Sequence, residues 1–251
     1  MILQAMISRK WVLTTILVIA GAALCVRLGI WQLDRLEQRR AFNNQVESMR
    51  TMEVLDLNDS IPEDIAGMEY RKIVVRGVYD FENQVALQNY YHQGLPGYHL
   101  LTPLIIEVDP PTIILVDRGW IPLEGNGSRS GWNRYDKQGQ VEVQGVMRLG
   151  EAKAQIGGIP EPTLSPGQTR LDYWYIPNLE RISQQLPYPV LPVYIQTDVD
   201  LNDDQPPIPF QEEIELTEGP HLGYAGQWFI FATILLVGYP LYLRKQLGAK
   251  P

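Results

Sequence analysis

Two long apolar runs bracket a middle segment in which hydrophobic and polar positions alternate. Residues 11–26 read WVLTTILVIAGAALCV without a charge, and past Arg27 the run continues over 28–31. Residues 11–31 thus supply about 20 positions, roughly 30 Å of helix, which matches the hydrocarbon thickness of a bilayer. The second run, 222–243 (LGYAGQWFIFATILLVGYPLYL), is also uncharged, carries Tyr and Trp toward its ends and stops at Arg244 and Lys245. It predicts a second transmembrane helix, with Pro240 near the far end, where interfacial water can satisfy the freed carbonyl.

Between the runs the period changes twice. Residues 32–50 keep a helical spacing of Leu33, Leu36, Phe42, Val46 and Met49 among charges, which predicts a helical extension of the first span. Strand-like runs then follow at 71–80, 84–89, 98–108, 111–121 and 140–149, rich in β-branched and aromatic residues and separated by Gly, Pro and Asn. Such close spacing predicts an antiparallel or barrel-like sheet. A proline-rich turn region (IGGIPEPTLSPGQT) leads to a short helix that Asn178 can cap, and VYIQTD reads as one last strand. Residues 198–220 are acidic and proline-rich and read as an extended connection. The predicted fold class is a membrane protein in which two transmembrane helices flank an external, mostly antiparallel β (α+β) domain over 32–220.

A cleaved signal peptide also begins with basic residues before an apolar stretch. Here no Ala-x-Ala site precedes a polar start, and Leu24 before Cys25 is too bulky for lipoprotein cleavage, so retention as an anchor is the reading. Arg9 and Lys10 precede the first span, while Arg244, Lys245 and Lys250 follow the second. The positive-inside rule then assigns the 1–10 and 244–251 tails to the cytoplasm and the domain to the periplasmic or extracellular side. Arg27, near a helix end, is read as snorkelling to the interface. Arg35, Arg39 and Arg40 can meet lipid head groups, meet the acidic domain or form a solvated face.

Charge sharpens this picture. All 29 Asp and Glu lie within 31–220, with only 15 of the 21 Lys and Arg, so that segment has a net charge of −14. Such a surface repels nucleic-acid phosphates and excludes a nucleic-acid function. Cys25 is the one cysteine, which excludes an internal disulfide, a Cys-x-x-Cys redox site and covalent haem attachment. No nucleophile elbow, phosphate-binding glycine loop or zinc-binding His pair is present, and DVDLNDD lacks the glycine and distal Glu of a calcium loop. The absence of a catalytic constellation points to binding or assembly.

Among three histidines, His92 and His99 flank a Gly-Pro-Gly-containing turn and read as surface or sheet histidines. His221 sits at the outer mouth of the second span, with Tyr224, Ala225 and Trp228 on or near its face at helical spacing. An imidazole there can ligate haem iron beside the small residues Gly223, Ala225 and Gly226, and an interfacial His in an aromatic belt satisfies the same spacing.

Six stretches in order, LGIWQLDRLEQR, EYRKIVVRGVYD, GYHLLTPL, ILVDRGWIP, GVMR and HLGYAGQWF, resemble the Surfeit locus protein 1 family of cytochrome c oxidase assembly factors. The resemblance implies a non-enzymatic factor in haem-copper oxidase biogenesis, acting at haem a insertion into subunit I, with haem a synthase and the lipid bilayer as further partners. It also implies that His221 ligates haem a iron and that Trp228 packs on the porphyrin, with Tyr224 in the same signature. Gly219 and Pro220 stand where the family motif usually has Asn. Arg118, Gly119 and Trp120 read as fold determinants. Two other classes compete: a structural chaperone that holds oxidase subunits without haem, and a membrane-tethered ligand sensor, which the short tails disfavour. With no Arg- and Ser-rich presequence ahead of the first span, a bacterial plasma membrane is expected; a processed organellar protein would sit in the mitochondrial inner membrane.

Overall fold

The computed structural model describes residues 2–152, 159–199, 205–211 and 214–248. The DVDLNDD stretch and the proline-rich turn region lie partly outside them. The helices are α1 (Ile2–Met6), α2 (Val12–Thr51), α3 (Arg129–Trp132), α4 (Leu179–Ser183) and α5 (His221–Gly248). The strands are β1 (Leu55–Asp56), β2 (Lys72–Tyr79), β3 (Val85–His92), β4 (Leu95–Ile106), β5 (Thr112–Pro122), β6 (Gln140–Leu149), β7 (Tyr173–Trp174) and β8 (Val193–Thr197). The chain divides into two compact units, Met1–Gln45 with Glu215–Pro251, and Val46–Ile214.

The first unit is an antiparallel helix hairpin. Helices α2 and α5 are each long and apolar enough to cross a membrane. Along α2 the buried positions Thr15, Ala22, Gly29 and Leu36 recur every seven residues, and Ala225, Ala232 and Tyr239 repeat that spacing on α5. A seven-residue repeat keeps one stripe of each helix on its neighbour. Small residues in the stripe let the backbones approach, which lipid cannot drive by hydrophobicity alone. A Cβ on Gly29 would lie 2.7 Å from the Phe229 ring, so the contact requires glycine's size. At one end the Thr15 and Tyr239 hydroxyls share a 2.6 Å hydrogen bond, and the Trp11 ring meets Tyr242 edge-on at 6.0 Å.

The second unit is a mixed, mostly antiparallel sheet that closes on itself. Strand β2 pairs with β6, β6 with β8, β8 with β5, β5 with β4, and the last residues of β4 return to β2 (Val78 opposite Ile105). Strand β4 can serve three neighbours because it is twelve residues long: its first half pairs with β3, its second half with β2. Strand β3 carries β7 on its free edge, and β1 extends β2. The predicted final strand, now β8, is inside the ring, parallel to β5.

Alternate residues point into the ring. Ile73 and Val75, Leu104 and Ile106, Ile114 and Val116, Val143 and Met147, and Val193 and Ile195 form one buried cluster. On the outer face, α4 adds Leu179 and Ile182 to Leu87, Leu101, Leu115 and Trp174. Helix α4 starts where expected, with the Asn178 side chain accepting from the Arg181 N–H at 3.1 Å.

Candidate functional site

Helix α5 begins at His221, and its first turn meets the middle of α2. The His221 Nδ1–H donates to Gln32 Oε1 at 2.8 Å. Because an amide oxygen only accepts, this bond places a proton on Nδ1 and leaves Nε2 as the nitrogen that can face a ligand. Nε2 has no protein partner among the described residues. Gly219, at φ +68°, turns the chain into the helix, and a Cβ there would touch the ring at Cδ2 (3.4 Å) and Nε2 (3.6 Å). The departure at Gly219 therefore opens space beside the ligand atom.

The loop ahead of His221 is held from α2. Arg39 donates from Nε to Thr217 O at 2.9 Å and from a terminal nitrogen to Glu215 O. Arg40 forks onto Glu218 at 2.7 and 2.9 Å, and this hydrogen-bonded guanidinium holds the Glu218 carboxyl below the usual carboxylate range. Arg35 instead stacks over Trp31 and donates to Gln38. Two of the three arginines thus fasten the loop that presents the histidine.

The other predicted site residues divide by face. Ala225 is buried, Trp228 is half-buried on the same stripe as His221 and meets Phe231 edge-on at 6.0 Å, and Tyr224 points outward. Cβ atoms added to Gly223 and Gly226 would meet open space. An iron-bound macrocycle calls for an imidazole nitrogen without a protein partner, an oriented ring and flanking room, and these residues fit it. Gln32 and Arg39 lie in the stretch LGIWQLDRLEQR, but no motif reveals that they and Arg40 pair with His221 and the loop ahead of it. The spacing of seven that places Gln32 beside Gly29 and Leu36 was the available signal.

A model of the SURF1 family matches residues 19–233. This chain belongs to the SURF1 family. It is 25% identical to a SURF1-like protein of Rickettsia felis, over 92% of this chain and 97% of that protein. It is 24% identical to Surfeit locus protein 1 of Arabidopsis thaliana (96% of this chain, 79% of that protein) and 23% identical to Surfeit locus protein 1 of Takifugu rubripes (88% and 90%).

Within this SURF1 family chain the sheet histidines have other surroundings. His99 is buried in β4, where Nδ1–H donates to Asp117 at 2.9 Å while the ring stacks on Tyr90 at 4.0 Å. Asp117 also accepts from the Gly119 N–H at 3.0 Å, so the pair braces a bulge between β4 and β5. At Gly119 φ is +112°, and a Cβ would lie 2.3 Å from Ile208 O. Trp120 is buried and exchanges backbone hydrogen bonds with Ile208, which straps that segment to β5. His92 lies 5.2 Å from the Trp120 ring. Among the described residues no three His, Cys, Asp or Glu side chains gather as a metal cluster.

Proposed function

We propose that the chain is a non-enzymatic membrane assembly factor for haem-copper (cytochrome c) oxidase, receiving haem a at the His221 end of the hairpin and passing it to subunit I. The observation that carries this reading is the His221–Gln32 hydrogen bond, which orients one imidazole and reserves its Nε2. When bound, the haem would supply an iron centre, and the His221 imidazole would be the residue that holds it. The chain's own residues do the rest: Gln32 sets the tautomer, Arg39 and Arg40 hold the presenting loop, and Trp228 offers an aromatic surface beside the histidine. Holding by one histidine side chain would suit a carrier, because one bond is easier to exchange than two. The proposed topology has both termini cytoplasmic and the sheet unit periplasmic or extracellular, in the plasma membrane or, for an organellar relative, the inner mitochondrial membrane. Haem a synthase is the proposed donor.

Co-production with haem a synthesis enzymes is expected to yield purified protein with a bound-haem absorption spectrum, and His221→Ala is expected to lose it. Unchanged haem content in His221→Ala would remove His221 as the ligand. The reading also predicts that a deletion strain makes oxidase deficient in haem a. Normal haem a incorporation with slower subunit association would favour a chaperone that never binds haem.

A further inference from the structure

The sheet unit has a second concave site, unrelated to the hairpin. The inward positions of the ring continue past the apolar core to Arg118 on β5, Val141 on β6 and Thr197 on β8, each two residues beyond the last core residue of its strand, and to Tyr79 on β2, four beyond Val75. These residues line a cavity of about 510 Å³ at the mouth of the ring. Mouths of small barrels are recurrent ligand sites because strand ends converge there on one space.

Arg118 is only 6% exposed. Its guanidinium lies over the rings of Tyr79 (5.1 Å) and Phe81 (5.0 Å), and one terminal nitrogen donates to Tyr135 O. The other, Nη1, is buried without a partner among the described residues. An unpaired buried cation is costly, so a donor left this way calls for an acceptor. Asp136 attracts Arg118, yet it lines a separate cavity with Asp80 and Arg129, and its own Oδ1 likewise has no partner among the described residues. At the rim Lys137 is exposed and makes no ion pair among the described residues, while the acids there are engaged: Glu142 with Gln144 and Arg76, Asp198 with Gln211.

We propose that this mouth binds a carboxylate carried on an apolar stem, with Arg118 Nη1 donating to it from the floor and Lys137 supplying the second positive charge at the rim. The stem follows from Val141, Val143, Pro207 and Pro209, which make much of the remaining wall. A single negative charge follows from Glu142 and Asp198, whose carboxylates on the same wall penalise a dianion such as phosphate.

The test is isothermal titration of the full chain in nanodiscs with hexanoate, hexan-1-ol or inorganic phosphate, with empty nanodiscs as reference. Hexanoate is expected to bind saturably and hexan-1-ol is not. Arg118→Gln is expected to weaken hexanoate by more than about tenfold, as loss of a charge-assisted donor does. Lys137→Glu, at an exposed position that leaves folding intact, is expected to weaken it about three- to tenfold. If Arg118→Gln fails to fold, the Lys137 variant and the alcohol still decide. The proposal is overturned if hexanoate does not bind, if hexan-1-ol binds equally, if phosphate binds more tightly, or if Lys137→Glu leaves the affinity unchanged.

Discussion

At the residue scale, function rests on side chains whose protons are assigned by neighbours. Gln32 has no ligand atom of its own to contribute, but without it His221 is free to rotate and to present either ring nitrogen. Gln32→Leu is therefore expected to lower haem affinity about 10- to 100-fold while the protein stays helical, read from haem content and circular dichroism; unchanged haem content would deny Gln32 this role. Tyr79 gives a second residue-scale prediction. Burial pushes its hydroxyl up to about 12 against the counter-pull of Arg118. Because the folded state holds this proton more tightly than the unfolded chain does, the stabilisation is complete below about pH 10 and is lost as pH rises toward about 12. Tyr79→Phe should remove up to about 3 kcal/mol of that alkaline loss in denaturant titrations at successive pH values, on the scale of about 1.4 kcal/mol per unit. The motif stretches include His221 and Trp228, and Gln32 as well, but nothing in them pairs Gln32 with a histidine 189 positions away.

At the element scale, period-two patterning located the major strands, yet it carries no information about partners. Strand β4 looks like its neighbours in sequence; only its length lets it pair with β3 at one end and close the ring with β2 at the other. Strands β1 and β7 are two residues each, too short for any pattern, and exist because a longer edge is beside them. The same limit hid the role of VYIQTD, whose place between β5 and β6 is set by the ring. Gly119 shows what a single position contributes to an element. With φ at +112° and Ile208 O 2.3 Å from a virtual Cβ, Gly119→Ala must move the strap off β5. A loss of about 2–3 kcal/mol in chemical unfolding is expected, with faster proteolysis at 205–211; an unchanged midpoint would show that the strap adapts.

At the scale of the whole molecule, charge and apolarity are segregated along the chain, and that segregation was the plainest feature of the sequence. All acids fall between the two spans and the tails are basic. On a Cys25→Ser background, Lys10→Cys and Lys245→Cys are expected to react with an impermeant maleimide only after the cytoplasmic side is opened, whereas a cysteine at Lys137 reacts in intact cells or spheroplasts; the opposite pattern would invert the topology. The hairpin's two polar contacts have a different consequence, which concerns counting. Thr15 to Gln32 spans 17 steps of α2, and His221 to Tyr239 spans 18 steps of α5. A stripe of alanines and glycines fits equally well after a slip of seven residues, but the two contacts hold only in one alignment. Between them the chain accepts exchange of one apolar residue for another far more readily than gain or loss of one, because a single added residue turns everything beyond it by about 100° about the helix axis. Relatives of this chain should therefore keep the lengths of these two segments more strictly than the identity of the apolar residues that lie between the contacts and outside the small-residue stripe.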